Sequence, residues 1–188
     1  GKILRDKAFK DIWIQPASGD AGGALGGALA VWYKELNNPR IVNSNDSMQG
    51  SYLGPSYDQT SIEEELKKCS AKFESVNEVE MIEQTAQALA DGKAIGWFQD
   101  RMEFGPRSLG GRSILGDPRS EKMQKMLNLK VKYRESFRPF APSVLREDVS
   151  QWFEADYDSP YMLLVDNVKE DKRIKMTQEE ESLFGIDK

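Results

Sequence analysis

Histidine is absent from this sequence, and cysteine occurs once, at Cys69. The first absence removes Ser-His and Cys-His dyads and all His-ligated metal sites from the chemistry the chain can carry by itself. The second rules out an intrachain disulfide, and one thiol without a histidine reads as a packing residue and not a nucleophile. Long apolar runs are lacking too. The longest, "GGALGGALAVWY", is rich in glycine and shorter than the ~18 residues a membrane helix needs. The chain opens with Gly-Lys and not Met, without a signal-peptide pattern, and reads as processed or cut at its start. Arg, Lys, Asp, Glu, hydroxyls and backbone amides remain as the groups available for chemistry.

What is present is a composition able to bury a core. Of 188 residues, 39% are hydrophobic and 30% charged, which predicts a soluble, globular, cytoplasmic protein. The net charge is −5, yet residues 101–138 hold ten Lys/Arg against four Asp/Glu, a local +6. That asymmetry suggests an anion site in an otherwise acidic protein, with no membrane partner and no general nucleic-acid coat.

Periodicity predicts an α/β chain. A short strand is expected at 11–17, "DIWIQPA", followed by a helix capped by Ser18 or Asp20 whose inner face is small, from Gly26 through Ala28 and Ala30. Residues 37–60, rich in Asn, Ser, Gly, Pro and Asp, read as a connector. Capping-box pairs Ser61/Glu64 and Asn77/Glu80 predict two helices, the second with Val79, Ile82, Ala86 and Leu89 inward until Gly92 stops it. Strands are expected at 94–99, "SILGDP", "FAPSVL" and "YMLLVDNV", with helices from Ser120 and over "REDVSQWFE". The tail "KEDKRIKMTQEEESLFGIDK" carries no clear fold signal.

Two basic motifs stand out. In "EFGPRSLGGRSILGDPR", Pro106 fixes φ before Arg107, while Gly110 and Gly111 permit turns closed to other residues. Such a loop holds Arg107 and Arg112 in set directions and exposes amides, a combination suited to phosphate or carboxylate. The competing reading is a surface turn whose arginines pair with the acidic remainder. In "NLKVKYRESFRPFAPSVL", Lys130, Lys132 and Arg134 alternate and would share one face of an extended segment, and Pro139 follows Arg138. A solvated strand edge accounts for that alternation as well. A third motif, "SGDAGGALGGAL", lacks a P-loop ending and does not match G-x-G-x-x-G; it is weak evidence for an anion at a helix start.

"IQPASGDAGGALGGAL", "YLGPSY", "GWFQDRMEFGPRSLGGRSILGDPR" and "KVKYRESFRPFAPSVL", in that order from about residue 11 to 145, resemble the O-carbamoyltransferases of antibiotic and nodulation-factor biosynthesis, such as the tobramycin and cephamycin enzymes. The resemblance implies a Kae1-like ATPase domain, related to sugar kinases (the ASKHA fold), that makes carbamoyladenylate from carbamoyl phosphate and ATP. A YrdC-like domain then passes the carbamoyl group to an acceptor hydroxyl. Residues 1–45 would be the end of the first domain, a strand-helix remnant. Residues 53–188 would be the second, an open twisted sheet with flanking helices, truncated before an "NTSFN"-like motif.

By the same resemblance Arg107, Lys132 and Arg138 are the catalytic cations around the adenylate phosphate and carbamoyl oxygen. Arg112, Lys130, Arg134, Gly105, Ser108 and Gly110 would bind substrate or nucleotide. Asp20, in "GDAGG", matches a ligand of a divalent metal (Fe or Mg) whose site is incomplete here. Asp100 stands where glycine is usual, and Ser108 and Gly111 where Ala and Asn are. Asp100, Glu103 and Asp117 are the carboxylates available as a base. The expected enzyme is a carbamoyltransferase fragment, inactive without the rest of its own protein. The alternatives are a non-catalytic nucleotide- or RNA-binding module using the same basic residues, and a structural domain that docks the ATPase-like half.

Overall fold

The computed structural model describes residues 1–182 and divides into two units. One is Asp11–Asp117; the other joins Gly1–Lys10 to Pro118–Lys188. The architecture is mixed α/β with one small sheet. No helix among the described residues is long and apolar enough to cross a membrane.

The short helix α1 (Lys2–Asp6) belongs to the second unit. The first unit begins with an irregular stretch in place of the strand expected at 11–17; Trp13 there is exposed and no neighbouring chain offers a ladder. Helix α2 (Asp20–Ala30) follows, with Gly19 at the cap position and no side-chain cap bond from Ser18 or Asp20. Asp20 sits in the first turn, where a carboxylate favours the helix dipole. The small face predicted for α2 buries nothing among the described residues. The helix ends in a wide π-type turn, Val31–Glu35, closed by Leu36 N–H on the Val31 carbonyl at 3.0 Å.

Helix α3 (Gln59–Lys68) starts earlier than the Ser61/Glu64 pair implies, because Asp58 is itself a good cap: its carboxylate accepts from Ser61 N–H at 2.7 Å. Helix α4 (Glu78–Ala90) matches its predicted start. The Asn77 side chain accepts from Glu80 N–H at 3.0 Å, and Gly92 adopts φ +78° past the end. Its half-buried face is rotated from the predicted one, running through Met81, Thr85, Ala88 and Leu89, while Val79 and Ile82 face solvent.

Strands β1 (Ile95–Phe98) and β2 (Arg112–Leu115) pair antiparallel, Ile95 opposite Leu115 and Phe98 opposite Arg112. The whole of 99–111 is therefore a loop springing from one end of a two-stranded ladder. The expected open twisted sheet is not built by the described residues: 140–145 and 161–168 run without ladders, apart from one bridge between Phe153 and Val168.

In the second unit, α5 (Met123–Met126) begins three residues after Ser120, whose carbonyl accepts from Met123 N–H at 3.1 Å. It passes directly into a π-type turn, Leu127–Val131. Met123 and Leu127 are buried as the pattern predicts. Helix α6 (Val149–Trp152) falls within the expected "REDVSQWFE", and α7 (Gln178–Ser182) closes the described chain.

Asn77→Ala removes the one side-chain acceptor at the start of α4. The expected loss is about 1 kcal/mol of unfolding free energy, read by urea titration, with Asn77→Asp close to the parent.

Candidate functional site

The loop 99–111 is held at its neck by Gln99 N–H on the Gly111 carbonyl at 2.9 Å, which prolongs the β1–β2 ladder. Its first half lies against residues 51–55. Phe104 N–H donates to the Ser51 carbonyl at 2.6 Å, Gly54 N–H to Met102 O at 2.9 Å, and Met102 N–H to Pro55 O at 3.0 Å. Arg101 Nη1 adds a bond to the Gly54 carbonyl at 2.7 Å. Its second half rests on Tyr52, whose hydroxyl donates to the Leu109 carbonyl at 3.0 Å. A Cβ at Gly111 would stand 2.9 Å from the Tyr52 ring, so only glycine lets the backbone lie this close. Gly105, at φ +101°, packs against the Ala17 methyl. Three of the sequence blocks singled out above, around residues 17, 52 and 105, thus meet in one unit.

At the centre is Glu103, its side chain fully shielded from solvent. One oxygen, Oε1, accepts from the amides of Leu109 (2.9 Å), Gly111 (2.7 Å) and Arg112 (3.1 Å). The other, Oε2, accepts from Arg112 Nε at 2.7 Å, and Arg112 Nη2 reaches the Glu103 backbone carbonyl at 2.6 Å. Burial alone would raise this carboxyl. The Arg112 bond and then the amide donors outweigh it, holding the group down at about 2. The neighbouring Tyr52 phenol is pushed up, first by burial and then by the Glu103 and Asp100 charges.

This geometry revises the sequence reading in two ways. Backbone amides in the loop do converge on an anion, but the anion is the protein's own carboxylate. Glu103 is also no candidate base, being ionised and fully engaged. Of the other two carboxylates, Asp117 is buried and Asp100 is exposed in the left-handed region, φ +50°. Arg112 is committed to Glu103. Arg107 and Ser108 are exposed, and Arg107 has no hydrogen-bond or ion-pair partner among the described residues. Gly110, at φ +120°, lies over the Tyr52 hydroxyl.

The second basic motif lies in the other unit and is organised by Asn128, which has no solvent exposure. Its Nδ2 donates to the carbonyls of Ser136 (3.0 Å) and Arg138 (2.8 Å), and its Oδ1 accepts from Arg134 Nε at 2.6 Å. Arg134 also lies over the Phe140 ring, 4.9 Å from its centroid. The expected face shared by Lys130, Lys132 and Arg134 is not formed. Residues 127–131 are helical and Tyr133 takes φ +49°, so strand alternation does not apply. Lys130 and Lys132 are exposed without partners among the described residues, and Arg138 pairs with Glu135 at 3.0 Å.

Beyond Arg138, residues 139–166 line an open apolar cavity of about 820 Å³, walled by Phe140, Val144, Phe153 and Leu164. Polar groups at its edge are engaged. Tyr157 donates to Asp166 at 2.6 Å, and burial followed by that bond pushes the phenol up to about 12; Arg146 pairs with Asp156 and Asp158. No three His, Cys, Asp or Glu side chains converge as a metal site among the described residues. Asp20 stands exposed and alone, fewer donors than a divalent ion requires.

Sequence reasoning missed Tyr52 and Asn128 and weighed Glu103 only as a base. A glutamate two residues before a glycine–proline–arginine run offered no periodic signal of burial.

Residues 86–180 match the family model described as Carbamoyltransferase C-terminus. An uncharacterized protein of Synechocystis is 55% identical over 190 residues, covering 100% of this chain and 31% of that protein. Nodulation protein NolNO of Sinorhizobium fredii is 43% identical, over 92% of this chain and 25% of its own. The 3'-hydroxymethylcephem-O-carbamoyltransferase of Streptomyces clavuligerus is 31% identical, over 89% and 29%. The chain thus spans about a quarter to a third of the length of these relatives.

Because the folded pKa of Glu103 lies below its ordinary 4.5, its contribution to stability is present above that value and is lost as pH falls toward about 2. Glu103→Gln is expected to cost about 3 kcal/mol at neutral pH and to flatten the acid limb of the stability curve between 4.5 and 2, as read by denaturant titrations across that range.

Proposed function

The chain belongs to the O-carbamoyltransferase family, and from that premise we propose that it forms part of an enzyme that transfers a carbamoyl group from carbamoyladenylate, made from carbamoyl phosphate and ATP, to an acceptor hydroxyl on a small molecule or sugar. In this reading residues 1–45 are the end of a Kae1-like ATPase domain and 53–188 the YrdC-like part. The observation that supports it best is the division of labour within the loop 99–111. Glu103 fixes the backbone and engages Arg112, and Arg107 is left exposed and unpaired at a set position.

A carbamoyl–phosphoric anhydride is already activated, so no covalent enzyme intermediate is required. The acceptor oxygen forms a bond to the carbamoyl carbon, negative charge gathers on the carbonyl oxygen, and the carbon–oxygen bond to the phosphate breaks with its electron pair leaving on AMP. The hydroxyl proton passes to a base, for which Asp100 is the exposed carboxylate of the loop. Fixed cations stabilise both developing charges more in the transition state than in the ground state. Arg107 is the cation assigned that role in Asp11–Asp117; Lys132 and Arg138, with Lys130, are the candidates carried by the other unit, each unit taken by itself. Arg112 and Arg134 act through the loops they brace. Asp20 enters only as one ligand of a divalent ion whose other donors are not on the described residues, and no step is routed through it.

The test is calorimetric titration of the full-length enzyme with a non-hydrolysable carbamoyladenylate analogue, AMP serving as control. Arg107→Ala should leave thermal unfolding unchanged and weaken the analogue about 10- to 100-fold, the loss of one charge-assisted hydrogen bond. Equal, steeply salt-dependent binding of every anion, with the same loss for any Lys or Arg removed, would replace this reading with a polyanion-binding module.

A further inference from the structure

We propose that Asn128 is a positioning residue for the carbamoyl donor, acting through Arg138; this rests on the assignment of Arg138 made above. Apart from Asn128, the turn that carries Lys132 and Arg138 is restrained locally by Arg138 N–H on the Glu135 carbonyl at 3.3 Å and by the Arg138–Glu135 ion pair at 3.0 Å, both of whose side chains are exposed. Lys132 N–H closes the π-type turn on the Leu127 carbonyl at 2.9 Å, Tyr133 reverses the chain at positive φ, and the 3₁₀ and α segments resume only at Arg146. Between these points, one side chain gathers the strand of backbone back onto the helix. Asn128 uses both amide hydrogens on the Ser136 and Arg138 carbonyls, its Oδ1 on Arg134 Nε, and its own carbonyl on Arg134 N–H at 3.0 Å. Gln124 Nε2 supplements it from one turn earlier, reaching the Phe137 and Arg138 carbonyls at 3.0 and 3.2 Å, but it is exposed.

A primary amide is the side chain this place requires. It must donate twice to carbonyls and accept once from a guanidinium, and it must carry no charge into a fully shielded position. Aspartate keeps the acceptor for Arg134 but turns the two donors into an oxygen facing carbonyl oxygens. Leucine would fill the volume and leave the carbonyls and the guanidinium without partners. Because Arg138 begins the Arg-Pro-Phe-Ala-Pro run, whose φ is fixed at Pro139, holding its carbonyl sets the direction from which its guanidinium leaves the chain.

The test is a double-mutant cycle in the full-length enzyme, with Asn128→Ala and Arg138→Ala singly and together, titrated with the non-hydrolysable carbamoyladenylate analogue and followed in parallel by thermal unfolding. The expected result is a loss of about ten-fold or more for each single variant. The double variant should bind no more than about three-fold worse than Arg138→Ala alone, since a misplaced and an absent guanidinium are equivalent. Losses that multiply would overturn the proposal and make Asn128 a general support of the fold. Undiminished binding in Asn128→Ala, with Arg138→Ala impaired, would do the same. If Arg138→Ala binds like the parent, the assignment of Arg138 itself is what fails. Should Asn128→Ala not fold, the isosteric Asn128→Asp takes its place, with the same expected loss, and parent-like binding by that variant overturns the proposal.

Discussion

A carboxylate buried without compensation is unstable by several kcal/mol, and it either finds donors or takes up a proton. Glu103 finds four donors, and finding them forces the shape of everything around it. Three amides spaced over Leu109, Gly111 and Arg112 reach one oxygen only if the chain curls round it, which requires the positive φ of Gly110 and the missing side chain of Gly111 against Tyr52. The fourth donor, Arg112, begins β2, so the same carboxylate ties the loop to the sheet. Gly110 and Gly111 thus serve a turn that closes over an internal anion.

Asn128 solves a similar problem in the other unit with a neutral group. There the loop 132–138 returns to the helix with two of its carbonyls accepting from one shielded amide, and the local arginine is held by Nε and by the face of Phe140. In both loops the arginine that contacts the buried group, Arg112 or Arg134, serves as structure. The cations that precede them in the chain, Arg107 in one case and Lys132 in the other, remain exposed, with side chains unpaired among the described residues. A count of basic residues in such a motif therefore overstates the number that can meet a ligand. The braced ones contribute by reducing what the free ones must give up in conformational freedom when they engage an anion.

Local signals in the sequence were legible where the physics is local. The Asn77 cap, the Gly92 stop and the two short strands follow from neighbours within a few residues. The start of α3 was misplaced because Asp58 and Ser61 are equivalent as caps on chemistry alone, and the structure uses the earlier one. Strand propensity at 11–17, 140–145 and 161–168 did not become strand, since a ladder needs a partner backbone that nearby sequence cannot reveal. Exposed apolar side chains such as Trp13, Leu145 and Val165 bear on the same point. Segments with the apolar content of strands lie uncovered, and the relatives are three to four times longer than the stretch they share with this chain. Arg107, Lys132 and Arg138 stood out by pattern, whereas the two groups that organise their loops, Glu103 and Asn128, carried no pattern at all.

The low pKa of Glu103 has a consequence for how the loop behaves as a platform. A carboxyl held at about 2 stays ionised at neutral and mildly acidic pH, so its grip on the three amides does not vary there. The hold of the carboxylate on the Leu109, Gly111 and Arg112 amides is thus constant in charge over that range. A permanent internal anion in the amide nest keeps one backbone path between β1 and β2, and with it the place from which the exposed Arg107 leaves the loop.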